Sequence, residues 1–175
     1  AYDVTFAPVR IAQATFERAV SAPAAVQLPK GATGAIALTL EYAGERGGFE
    51  SLAMDRLRVY MDGEPSFVAA LGDALFLHTA AAYVEAERAG VWKRLVRVPL
   101  HEVGFAESES LIDCPARSHP AYRLLTEHFS FAEKFNFFDI DLAAVRGGMT
   151  PGVPVRRLTL HLVLKDVRSD SHAAR

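Results

Sequence analysis

Two short segments alternate apolar and polar or smaller residues with a period of two, and they limit the folds open to this chain more than any other feature. Residues 36–42 (IALTLEY) place Ile36, Leu38, Leu40 and Tyr42 on one side, and residues 156–163 (RRLTLHLV) have strand chemistry. Residues 56–61 (RLRVYM) set Leu57, Val59 and Met61 against Arg56, Arg58 and Tyr60, the pattern of a strand with one buried and one wet face. Residues 4–20 and 134–142 (KFNFFDIDL) also have strand chemistry, and residues 80–87 and 94–100 read as a hairpin around Ala89 and Gly90. The stretches SAPAAVQLPKGATG, AGERGGFES and RGGMTPGVP carry the Pro and Gly punctuation of loops.

Two segments break the strand rhythm. After the Asp62-Gly63 turn, Pro65 suits the first turn of a helix that places Phe67, Leu71, Ala74, Leu75 and His78 on one face. Ser118 is expected to cap a second, shorter helix over residues 119–129, with Pro120 in its first turn. Strand-helix-strand units are too few for a doubly wound parallel sheet. The expected fold class is α+β: mainly antiparallel, β-sandwich-like sheets with two inserted helices. Folding a chain of 175 residues buries roughly 70% of its unfolded surface, so one core suffices without metal or disulfide and no cofactor is needed for stability. Residues 1–168 are expected to form a single globular domain of a longer polypeptide, with 169–175 (DSHAAR preceded by Ser169) as a terminal tail.

Several function classes lose their warrant. The net charge is −2 and the 19 Lys and Arg are scattered, which argues against nucleic acid as a partner. Cys114 is the single cysteine, so there is no intrachain disulfide and a cytoplasmic location fits. The apolar-looking residues 67–84 are rich in alanine and interrupted by Asp73 and His78, which makes them a poor membrane span. GxSxG elbows, Walker loops and dinucleotide fingerprints do not occur, the six histidines form no HExxH or HxH arrangement, and Cys114 has no CxxC partner. His78 and His161 read as packing residues rather than metal ligands.

Asp139 and Asp141 are the sharpest catalytic candidate. Separated by one residue on a strand, their carboxylates face the same side and could share a hard cation or split acid and base roles. The alternation favours a plainer reading, in which both line the solvent face while Phe138, Ile140 and Leu142 fill the core. No third ligand is signalled nearby, and the chain reads as a non-enzyme without a metal site.

What remains unusual is the aromatic density of residues 122–138, where Tyr122, Phe129, Phe131, Phe135, Phe137 and Phe138 interleave with Arg123, Glu127, Glu133 and Lys134. Phe137 and Phe138 point to opposite faces of a strand, so both faces need cover. The cover is either the domain's own core, the expectation for most of these rings, or a partner, since aromatic anchors rimmed by charge recur at interfaces.

The ordered run PARSHPAYRLLTEHFSFAEKFNFFDI (residues 115–140) resembles the TssF family of type VI secretion baseplate proteins: an Arg-Ser pair and a proline lead into a Tyr-Arg-Leu-Leu helix, then Glu and a Phe, Glu-Lys-Phe pattern. Upstream, LRVYMDGEPSFVAALGDALFLHTAAAYV and VGFAESESLI are similar to that family's strand, Asp-Gly turn, helix and Val-Gly-Phe link. The resemblance implies a structural baseplate wedge component without catalytic residues, working in the cytoplasm in a baseplate docked at the inner membrane complex. It implies as partners TssG-like, TssK-like and TssE-like proteins and another TssF copy. Arg117, Tyr122, Arg123, Phe129, Phe131, Lys134 and Phe135 would then serve as a structural or partner-contact motif. The alternative from the residues themselves is a β-sandwich module for sugar or peptide, which would show exposed rings along a groove.

Overall fold

A computed structural model describes residues 6–87, 89–115 and 117–167. Its strands are β1 (Val9–Glu17), β2 (Ala32–Tyr42), β3 (Arg56–Tyr60), β4 (Thr79–Ala86), β5 (Lys93–Arg94), β6 (Leu100–Glu102), β7 (Phe137–Asp141) and β8 (Arg157–Lys165). Its α-helices are α1 (Pro65–Phe76), α2 (Pro120–Ser130) and α3 (Leu142–Gly147). The strands form a five-stranded sheet in the order β1-β2-β8-β4-β5 and a three-stranded sheet in the order β3-β7-β6. Every pairing is antiparallel, which is the α+β architecture the alternation calls for. The tail expected over 169–175 lies outside the described residues.

The period of two explains the core. In the centre of the larger sheet, β8 turns Leu158, Leu160, Leu162 and Leu164 to one side, where they meet Ile36, Leu38 and Leu40 of β2 and Ala82 and Val84 of β4. Val59, Phe138 and Ile140 close the same cluster from the smaller sheet. Burying each such side chain stabilises the fold by about 1.5–3 kcal/mol relative to exposure. The far face of the larger sheet is covered as well. There Ala81, Tyr83 and Val163 pack under Val26, Leu28 and Trp92, and Tyr83 donates its hydroxyl to the Gln27 carbonyl at 2.7 Å. His161 belongs to this second layer, its ring centroid 3.6 Å from that of Trp92 and its Nε2 3.0 Å from Glu85. Burial pushes its pKa below the ordinary histidine value despite the nearby Glu85 carboxylate.

Four local readings are corrected by packing. The buried stripe of α1 is Val68, Ala74 and Leu75, with Phe67 left exposed and His78 beyond the helix end, where Thr79 Oγ1 donates to the Ala74 carbonyl. The expected strand over 94–100 divides between sheets: β5 pairs only two residues with β4, and past Pro99, which has no amide to donate, the chain joins β7 of the other sheet. Strand β7 starts only at Phe137, because residues Ala132–Phe135 form a 3₁₀ turn. The strand expected to run through Leu142 ends at Asp141, and a third helix, α3, follows it up to the start of the turn region over 146–154; the helix is capped by Asp141, whose Oδ1 accepts from the Ala144 amide at 2.8 Å. It ends at Gly148, where a Cβ would lie 2.4 Å from Val84 Cγ1 and 2.7 Å from Leu95 Cδ2, so this close approach requires glycine.

Candidate functional site

The two candidate carboxylates do sit opposite the core, but not on a wet face. Asp139 is 4% and Asp141 8% exposed, a correction to the solvent-face expectation, because arginines from neighbouring segments lie across them. Arg58, in register with Asp139 across β3 and β7, donates to it twice, at 2.9 and 3.0 Å. Hydrogen bonding to Asp139 raises the Arg58 pKa further. Asp141 accepts from Arg97 at 2.5 Å as well as capping α3. Burial alone pushes the Asp141 carboxyl up, but the Ala144 amide and Arg97 outweigh it and hold it below the usual range. Among the described residues, no three His, Cys, Asp or Glu side chains gather as a metal would need.

These contacts give Asp141 a structural role with a measurable signature. Asp141→Ala is expected to lose about 1–2 kcal/mol, chiefly the helix cap, since the Arg97 side chain is largely exposed and its ion pair worth little. The folded-state pKa is depressed, so this contribution is present above the ordinary carboxylate value and fades as pH falls through the folded value. Urea midpoints of wild type and variant should differ at pH 7 and converge in acid.

The aromatic-rich segment builds a different kind of site. Pro120 opens α2, and His119 rather than Ser118 caps it, its Nδ1 accepting from the Ala121 amide at 3.2 Å. The helix is then inverted. Its buried residues are Arg123 and Glu127, whereas Tyr122, Leu125 and Phe129, at helical spacing on the other side, are 69%, 60% and 81% exposed.

A buried ionic clamp accounts for the inward charges. Arg123 donates to the carbonyls of Phe105 and Ala106 at 3.2 and 3.3 Å. Glu127, 0% exposed, accepts from the amides of Leu111 and Ile112 at 2.7 and 3.2 Å and from the Lys134 ammonium. Burial pushes the Glu127 carboxyl up, but Lys134 and the two amides outweigh it, so its pKa lies below the ordinary value. The segment clamped in this way, residues 103–113, runs close to the turn after α2 through Gly104 at φ +100°, where a Cβ would lie 3.0 Å from the Lys134 carbonyl oxygen.

The predicted motif residues therefore separate. Arg123 and Lys134 meet at the clamp; Tyr122, Phe129 and Phe131 lie exposed; Phe135 is half-buried between Phe105 and His128 at centroid distances of 5.1 and 5.9 Å. Arg117 is exposed in the turn before α2. Of the six rings only Phe138 is in the core, a correction to the expectation that most of them are. The hub that sequence reasoning passed over is Glu127. The available signal was its i, i+4 spacing from Arg123, which puts both charges on one helix face opposite the Tyr122, Leu125, Phe129 stripe. Between α1 and α2, Leu125 and Phe129 border an open groove of about 940 Å³ that Tyr60, Phe105 and Phe137 also line, whereas Tyr122 and Phe131 are not among its lining residues.

In this α+β domain the carboxylates of Asp139, Asp141 and Glu127 are held in ion pairs, and the apolar residues Tyr122, Leu125 and Phe129 of α2 face outward. Residues 1–174 match the family model described as Type VI secretion system, TssF, and the chain belongs to that family. It is 29% identical over 142 residues to the type VI secretion system component TssF1 of Pseudomonas aeruginosa, covering 79% of this chain and 23% of that protein. It shares its fold, at a TM-score of 0.70 and 20% identity, with a chain in a cryo-electron microscopy structure of the type VI secretion system TssK-TssF-TssG baseplate subcomplex. That likeness covers 93% of this chain and 28% of the solved one. The chain thus spans about a quarter of the length of the relatives it matches.

Proposed function

We propose that this chain is a structural domain of a type VI secretion baseplate wedge, contributing contact geometry rather than chemistry to a contractile injection machine. Membership of the TssF family supports the setting. The observation that carries the contact role is the inversion of α2, because an exposed stripe of Tyr122, Leu125 and Phe129 costs solvation unless a partner covers it. The partners are TssG-like and TssK-like proteins, in line with the composition of the solved subcomplex of similar fold, and further out a TssE-like protein and a second TssF copy. The baseplate works on the cytoplasmic side, docked at the inner membrane complex; among the described residues no helix is long and apolar enough to cross a membrane.

Exposed rings along a groove also suit a sugar- or peptide-binding module. Family membership favours an assembly contact over a sugar site. Co-expression of the full TssF-family protein carrying this segment with its TssG-like neighbour should give one stable complex on size exclusion. Separation of the two into distinct peaks overturns the proposal.

A further inference from the structure

The groove between α1 and α2 is apolar along its walls and acidic along its rim, and that combination selects an occupant. Phe76 and Leu77 stand on the α1 side, Leu125 and Phe129 on the α2 side. Asp73, Glu102 and Glu133 line its edges, all exposed and none ion-paired with another described residue. No Lys or Arg lines it. The adjacent cations, Arg123 and Lys134, are spent inside the clamp on carbonyls and on Glu127.

We infer that this groove receives an amphipathic helix of a neighbouring protein subunit, with an apolar face and Lys or Arg along its flanks; this rests on the reading of the chain as an assembly domain. The bordering helix α1 has 12 residues, so a helix laid beside it has about 18 Å, or three turns, of wall to pack against. Apolar anchors inserted between Leu125, Phe129 and Phe76 supply the desolvated centre, and the carboxylate rim fixes register and rejects the wrong charge. Two other occupants are disfavoured by the same rim. A nucleic acid or an anionic membrane surface would meet three uncompensated carboxylates. A second copy of this chain, groove to groove, would set that rim against itself.

The test uses the full-length protein co-expressed with its neighbouring baseplate subunits, with p-benzoylphenylalanine introduced at Phe129 and, separately, at Leu125. Irradiation followed by mass spectrometry should locate adducts on an apolar peptide of a neighbour flanked by Lys or Arg. Adducts on an acidic peptide, on a lipid or on the same groove of a second copy overturn the inference, as does a complex that co-purifies with no adduct at either position. Failure of the unmodified subunits to co-purify overturns the assembly reading itself, and this one with it. Asp73→Lys combined with Glu133→Lys should weaken association about tenfold at low salt, with the deficit shrinking as salt rises. Both positions are exposed, so an unchanged thermal midpoint shows that the fold is intact; for a variant that fails to fold, Asp73→Asn with Glu133→Gln replaces it. Unchanged affinity in a folded variant rules out the basic helix.

Discussion

Glu127→Ala is expected to destabilise this domain by about 3–5 kcal/mol, because it leaves the Lys134 ammonium buried without its counter-charge and strips the Leu111 and Ile112 amides of their acceptor. The Lys134 side chain is 8% exposed and has little access to water in exchange. Chemical denaturation at pH 7 measures the loss as a lower urea midpoint. Removing both charges, Glu127→Ala with Lys134→Met, should recover part of it, since the large cost belongs to the uncompensated partner rather than to the pair. The pH dependence has a definite sign. Glu127 has a folded-state pKa below its unfolded value, so its contribution is complete above the ordinary glutamate pKa of about 4.3 and is lost as pH falls through the folded value. Wild type should therefore lose stability in acid more steeply than Glu127→Gln, which has no carboxylate to protonate.

Glu127 also marks where the sequence stops being legible. The strands could be read because their burial is set by alternation: Leu158, Leu160 and Leu162 follow the period of two and all reach the core. Pro65 announced α1 because a missing N–H costs nothing at a first helical position. The helix that builds the candidate site obeys the usual periodicity too, but with its two faces exchanged. Pattern alone places Tyr122, Leu125 and Phe129 on one side and Arg123 and Glu127 on the other; it does not say that the backbone of residues 105–112 waits on the inner side with two carbonyls and two amides to satisfy. Those partners are distant in sequence, and only the fold brings them to the charged face. The same limit applies to Asp139 and Asp141, whose alternation puts them opposite the core, while their burial depends on Arg58 and Arg97 reaching across from other segments.

One substitution made at two places distinguishes folding from assembly. Leu160→Ala is expected to cost about 2–5 kcal/mol of stability, because Leu160 is 0% exposed on the central strand, flanked in register by Leu38 and Val84, and a rigid sheet cannot collapse into the cavity left behind. Leu125→Ala should change stability by only about 0.5 kcal/mol, since that side chain is 60% exposed and deleting it opens no cavity. The order reverses when association is measured. Leu125 lies on the apolar stripe of α2 at the groove, where truncating a well-packed anchor costs about 2 kcal/mol of binding, a fall in affinity of roughly thirtyfold. Leu160→Ala, assayed well below its lowered melting point, should bind its neighbours as tightly as wild type. Paired thermal melts and affinity measurements on the two variants decide it: if Leu125→Ala melts early, or binds like wild type, the outward face of α2 is not the surface the clamp exists to present.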